Sequence, residues 1–152
     1  MQYHFRIHKA GKGELGFWAQ GMELDGCFTQ GDTQEELDFN LQEALNLHLD
    51  EPEDSKHIFP PPDPSLKGRN IVAVPVDPQI AFAMQVRQSR LKNKWTQKEA
   101  AKALGMKNIF SYQRLESSKT ANPELSTLIR LCTVFPDFSV DRILDVGAPA
   151  KA

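Results

Sequence analysis

An α+β protein in two modules is predicted: a small sheet carrying one helix, then a cluster of four to five short helices. Three observations predict it. Apolar residues alternate with a period of two near the amino terminus, helix start and stop signals crowd the second half, and a proline-rich stretch lies between. Charge divides in the same way. Residues 1–68 hold 5 Lys+Arg against 13 Asp+Glu, and residues 69–152 hold 13 against 7, within an overall charge of −2. From Arg87 to Lys119 nine basic residues stand against Glu99 and Glu116. An acidic half and a basic half point to different partners.

In the first module, Tyr3, Phe5 and Ile7 alternate with His4, Arg6 and His8, the pattern of a strand with one buried face. Residues 10–13 turn the chain into a second strand, GFWAQGMEL. Asp25-Gly26 is a favoured two-residue hairpin dipeptide, because glycine accepts positive φ, and CFTQ follows as a third strand. Thr33 and Glu36 form a capping box that opens a helix, with Leu37, Leu41, Ala44, Leu45 and His48 on one face. Five of the ten prolines fall within 52–64, which excludes a helix and predicts an ordered loop or stiff connector. Ile71–Val76 reads as a fourth strand that Pro75 confines to an edge or a strand end. The order is β-β-β-α-β over residues 1–76.

The second module, 77–147, is helical throughout. Asp77 caps a helix with Pro78 at its first position, where the missing N–H costs nothing. Thr96 and Glu99 form a second capping box, and Gly105 ends that helix. A third helix covers about 108–117, Asn122-Pro123 caps a fourth that Pro136 stops, and Ser139 begins a short fifth. Val86, Trp95, Ala100, Leu104, Tyr112, Leu115, Leu125, Leu128, Ile129 and Cys132 are the predicted core. Trp95 seals the first two helices and Glu116 braces helix ends. The last five residues, 148–152, read as a disordered tail.

Several functions are excluded. No apolar run reaches the roughly 18 residues of a membrane span, and no signal-peptide core opens the chain, so a cytoplasmic protein without a membrane partner is expected. Cys27 and Cys132 are too few for a disulfide framework. His4 and His8 lie about 13 Å apart along a strand, too far to share a metal, and read as half-exposed. No C-x-x-C, glycine-rich phosphate loop or nucleophile elbow occurs. A two-metal nuclease would need converging carboxylates. Of Glu14, Glu23, Asp25, Asp32, Glu35 and Glu36, turn chemistry accounts for Asp25 and Asp32, and the capping box for Glu36. Neither catalysis, a metal nor a cofactor is expected.

The stretch from Val86 to Leu131 resembles the helix-turn-helix domain of phage-type repressors and the xenobiotic-response-element regulators. Four landmarks carry the likeness: Thr96-Gln97, Leu104-Gly105, Arg114-Leu115-Glu116 and Asn122-Pro123-x-Leu125. The resemblance implies that Gln97, at a helix amino terminus, bonds the DNA backbone. Lys92, Lys94, Lys98, Lys107 and Lys119 would neutralise phosphates and make binding salt-dependent. Base reading falls to Asn108, Ser111, Gln113 and Arg114, with Arg114 suited to the O6 and N7 of guanine. Ten residues separate Gly105 from Glu116, one more than the common spacing.

The run GCFTQGDTQEELDFNLQEAL, residues 26–45, is similar to the HicB antitoxin family. That resemblance implies a partial RNase H-like amino-terminal domain that binds a small basic RNA-degrading toxin, HicA, and a DNA-binding domain that represses the operon. Phe17 and Trp18 point to opposite faces of the second strand, so one of them leaves the core side. Phe17, Trp18, Glu23 and Asp25 are the candidate toxin contacts. Partners are then a HicA-like toxin, double-stranded operator DNA and further copies of the chain in a homodimer or homotetramer. The alternative is a stand-alone repressor whose amino-terminal domain senses a ligand or oligomerises.

Overall fold

The computed structural model describes residues 1–147, so the tail expected at 148–152 lies outside the described residues. The first strands are β1 (Gln2–Lys9), β2 (Phe17–Gly21) and β3 (Phe28–Gly31), followed by α1 (Gln34–Leu49) and β4 (Ile71–Pro75). Five helices come after: α2 (Pro78–Lys92), α3 (Gln97–Ala103), α4 (Ile109–Glu116), α5 (Leu125–Val134) and α6 (Val140–Leu144). The class is α+β, with an antiparallel sheet at the amino terminus and helices after it.

The sheet runs in the order β3-β2-β1-β4, so Pro75 lies on an edge strand, where its missing donor is harmless. Register puts Tyr3, Phe5, Ile7, Ala19 and Val74 on one face and His4, Arg6, His8, Trp18, Gln20 and Phe28 on the other. Leu37, Leu41, Leu45 and Leu49 of α1 are buried with the first set. Gly31 sets the approach of α1, because a Cβ there would come within 2.5 Å of the Leu37 nitrogen.

Two strand predictions change. The second strand ends at Gly21 rather than running on through Met22, Glu23 and Leu24, and the third begins at Phe28 rather than Cys27. Gly21 N–H donates to the Cys27 carbonyl, which closes the ladder around a wider loop. Asp25 and Gly26 (φ +78°) form only the tip of that loop, with Cys27 N–H on the Leu24 carbonyl. At the start of α1, Thr33 Oγ1 accepts from Glu36 N–H as expected, but Glu36 returns to the Asp32 N–H, one residue earlier than predicted.

The chain separates into two compact units whose limits differ from a single cut after Val76. The helical unit takes 50–58 in addition to 77–144, and the sheet unit keeps 1–49 and 59–76. Residues 145–147 also belong with the sheet, not with the helices as predicted. The Met1 amine donates to the Asp145 carbonyl and Gln2 Nε2 to Asp145 Oδ1 at 2.7 Å. Burial lowers the pKa of that amine, against the pull of Asp145.

In the helical unit Val86, Ala100, Leu104, Tyr112, Leu115, Leu131, Phe135, Phe138 and Ile143 form the core, with Trp95 and Leu128 packed against it. Trp95 lies 5.6 Å from Phe135, ring to ring. Three predicted core residues of α5 are instead exposed: Leu125, Ile129 and Cys132. The helix buries the stripe through Leu131 and leaves the neighbouring i, i+4, i+7 stripe outside. Its cap is Glu124, without a side-chain bond, rather than Asn122.

Candidate nucleic-acid interface

Two cap geometries set the turn between α3 and α4. Thr96 Oγ1 accepts from Glu99 N–H at 3.2 Å while Glu99 Oε2 accepts from Thr96 N–H at 2.7 Å, the predicted capping box. At the other end Gly105 takes φ +67°, its N–H bonds the Lys102 carbonyl, and Met106 N–H bonds the Ala101 carbonyl. These two bonds make a Schellman motif, which only a residue tolerant of left-handed backbone closes without strain. Asn108 then caps α4, accepting from Ser111 N–H at 2.9 Å.

A buried carboxylate locks α4 in place. Glu116, 2% exposed, accepts from Arg90 Nε (2.5 Å) and Tyr112 Oη (2.6 Å) on Oε1, and from Arg90 Nη2 and Gln97 Nε2 (both 3.0 Å) on Oε2. One side chain thereby ties α2, α3 and α4 together. Burial works against the Arg90 charge, but the bonds and charge of Glu116 outweigh it and hold the guanidinium pKa above its ordinary value. Burial, then the Glu116 charge, pushes the Tyr112 phenol upward.

The predicted DNA residues separate into two groups. Lys98, Lys107, Lys119 and Arg114 are exposed, with Arg114 on the outward side of α4. Gln113 is half-buried and donates from Nε2 to Gln97 Oε1 at 2.9 Å, so it faces α3. Ser111 Oγ donates to Asn108 Oδ1 at 3.1 Å, which occupies the Asn108 acceptor in capping. Phe110, absent from the residues predicted to read bases, is 71% exposed on the same helix. Its signal was the period of α4: burying Tyr112 and Leu115 turns position 110 outward.

Segment 50–58 carries Asp50, Glu51, Glu53 and Asp54 into the helical unit, against one Lys56. Ser118 Oγ donates to Asp50 Oδ1 at 2.7 Å, and Arg87 Nη1 to the Glu51 carbonyl at 3.3 Å. Arg87 is fully buried, and burial lowers its pKa. The charge contrast between the units is therefore smaller than the sequence halves suggested.

In the sheet unit Trp18 lies on the face opposite α1, 40% exposed and stacked on His8 with ring centroids 3.9 Å apart. Phe28 on the same face is also exposed. Phe17 lies on the helix face and lines an open cleft of about 580 Å³ with Ile7, Lys9 and Arg69. Asp25 is exposed in the loop. Glu23, expected as a toxin contact, points inward instead. Its carboxylate accepts from His4 Nδ1 (2.7 Å), His4 N–H (2.9 Å) and Asp63 N–H (3.2 Å), which buries His4 rather than leaving it half-exposed. Among the described residues no group of three or more His, Cys, Asp or Glu side chains could hold a metal ion, and no helix is long and apolar enough to cross a membrane.

Residues 86–142 match the helix-turn-helix family. No curated protein matches the chain. The carboxy-terminal helices therefore form a helix-turn-helix domain, a sequence-specific DNA-binding module of transcription regulators.

Proposed function

We propose that this chain is a HicB-type antitoxin. Its amino-terminal domain, read as partial RNase H-like, covers a HicA-like ribonuclease, and its helix-turn-helix represses the operon that encodes both. The observation that carries the reading is the pairing, in one chain, of a β-β-β-α-β module (order β3-β2-β1-β4) with a helix-turn-helix domain. The sheet unit keeps an acidic balance without 50–58, its residues 1–49 and 59–76 holding 9 Asp+Glu against 5 Lys+Arg, which suits a basic, RNA-binding partner by electrostatic steering. Trp18 and Phe28 offer apolar anchors on the open sheet face, with Asp25 in the adjoining loop.

The mechanism is occlusion, without chemistry, cofactor or metal, in a cytoplasmic protein. On DNA, the amino-terminal backbone N–H groups of α3 at Gln97 and the lysines at 98, 107 and 119 hold phosphates, and Arg114 reads guanine. Ser111 and Asn108 act at the amino terminus of α4, and Gln113 works through Gln97. A homodimer, or a homotetramer, would set two recognition helices on half-sites about 34 Å apart.

The test is co-expression with a small basic ribonuclease encoded beside this gene. The full chain should abolish its toxicity and co-purify with it. A chain that binds its operator but neither rescues growth nor retains the nuclease is a stand-alone repressor with a sensing or oligomerising domain, and the antitoxin reading fails. On DNA, Arg114→Ala should lower discrimination at one base pair by about 1–3 kcal/mol. Lys98→Ala should weaken all sequences alike and flatten the salt slope by about one. Wild-type discrimination by Arg114→Ala removes the guanine contact.

A further inference from the structure

The outward side of α4 carries Phe110, Ser111 and Arg114, within about 100° of one another around the helix. Its polar reading capacity is already partly spent. Ser111 donates its hydroxyl to Asn108, the Asn108 acceptor caps the helix, and the Gln113 amide is held by Gln97. What remains beside the Arg114 fork is a phenyl ring, 71% exposed, on a helix that buries Tyr112 and Leu115 and half-buries Ile109.

A phenyl ring has no donor or acceptor, so it cannot read the hydrogen-bonding pattern of a base pair. The major groove offers it one apolar feature, the C5-methyl of thymine. We propose that Phe110 is a specificity-determining residue that contacts a thymine methyl in the operator half-site. This rests on the helix-turn-helix reading and is independent of the antitoxin role. Phe110 precedes Arg114 by four residues, about one helical turn of 5.4 Å. With bases stepping about 3.4 Å, the thymine lies one or two base pairs from the guanine read by Arg114.

The experiment selects operator sequences from a random duplex pool with the full chain, then replaces each thymine singly with deoxyuridine, which removes only the methyl. Wild-type protein should lose about four-fold in affinity at one thymine per half-site, the worth of one methyl taken out of water. Phe110→Ala should lose about as much on the unmodified duplex and nothing further on the deoxyuridine duplex, while Phe110→Leu keeps part of the preference. Phe110 is exposed, so the variants should melt as the wild type does. Three results overturn the proposal. If uridine matters nowhere, or if Phe110→Ala keeps the full uridine penalty, the methyl contact is absent. If selection enriches no duplex, the DNA-binding reading itself fails and the thymine contact falls with it.

Discussion

Two carboxylates, Glu23 in the sheet unit and Glu116 in the helical unit, solve one problem with different materials. Each side chain is almost wholly removed from water, at 6% and 1% exposure, and each gathers several donors in compensation. Glu116 meets a guanidinium, a phenol and an amide, all side-chain groups from three helices. Glu23 meets two backbone N–H groups and an imidazole, from β1 and from the loop at Asp63. A side-chain network fixes how helices cross, and here it holds the recognition helix. A carboxylate on backbone donors instead fastens a long proline-rich connection to a strand.

The comparison breaks most easily at Glu116. Glu116→Ala leaves Arg90 buried without its partner, and removing one member of a buried pair costs about 3–5 kcal/mol. Each unit holds one of the two tryptophans, so in a Trp18→Phe background Trp95 fluorescence reports helical unfolding in urea. A loss under about 1 kcal/mol would mean that water replaces the carboxylate and that the network does not set the helix positions.

Glu23→Ala should cost less, about 1–3 kcal/mol, because the two backbone donors it frees lie near a surface loop that water can reach. Trp18 fluorescence in a Trp95→Phe background reads that loss. The two carboxylates share no hydrogen-bond partner, so the double variant should add within about 0.5 kcal/mol. Strong non-additivity would join what the comparison keeps apart.

The unequal legibility of the two sites has a physical basis. Glu116 reads as a brace because local landmarks fix it: a capping box, a left-handed glycine, and the three-residue run Arg114-Leu115-Glu116. Helical order is encoded within a few residues. Glu23 reads as an exposed toxin contact in the sequence because its partners are 19 and 40 residues away, and no local pattern announces them. The same limit explains α5. Two apolar stripes run along it, and periodicity alone does not say that the one through Leu131 is buried while Leu125 and Ile129 stay outside. The migration of 50–58 to the helical unit also depends on distant partners, Ser118 and Arg87. Phe110 is illegible for another reason: base recognition is marked in a sequence by hydrogen-bonding side chains, and an apolar one carries no such mark.

The smallest expected effect lies at the amino end of α3, where the two units invite a direct comparison of caps. Thr96 and Glu99 complete a reciprocal box, whereas the Glu36 of α1 bonds Asp32 N–H instead of closing on Thr33. Thr96→Ala should cost about 1 kcal/mol, the usual worth of a threonine cap, and Thr33→Ala a similar amount in the sheet unit. The α3 box also carries a pH dependence. The Glu99 carboxyl is held below its ordinary pKa by the Thr96 backbone N–H and then by its hydroxyl. A depressed folded-state pKa stabilises above the unfolded value, and the contribution is lost as pH falls through the folded one. Wild-type helical stability should therefore decline below about pH 4 more steeply than that of Thr96→Ala, which has lost the hydroxyl bond to Glu99. Urea midpoints read through Trp95 between pH 3 and 7 decide it, and parallel curves for the two proteins would show that the box does not respond to Glu99 ionisation.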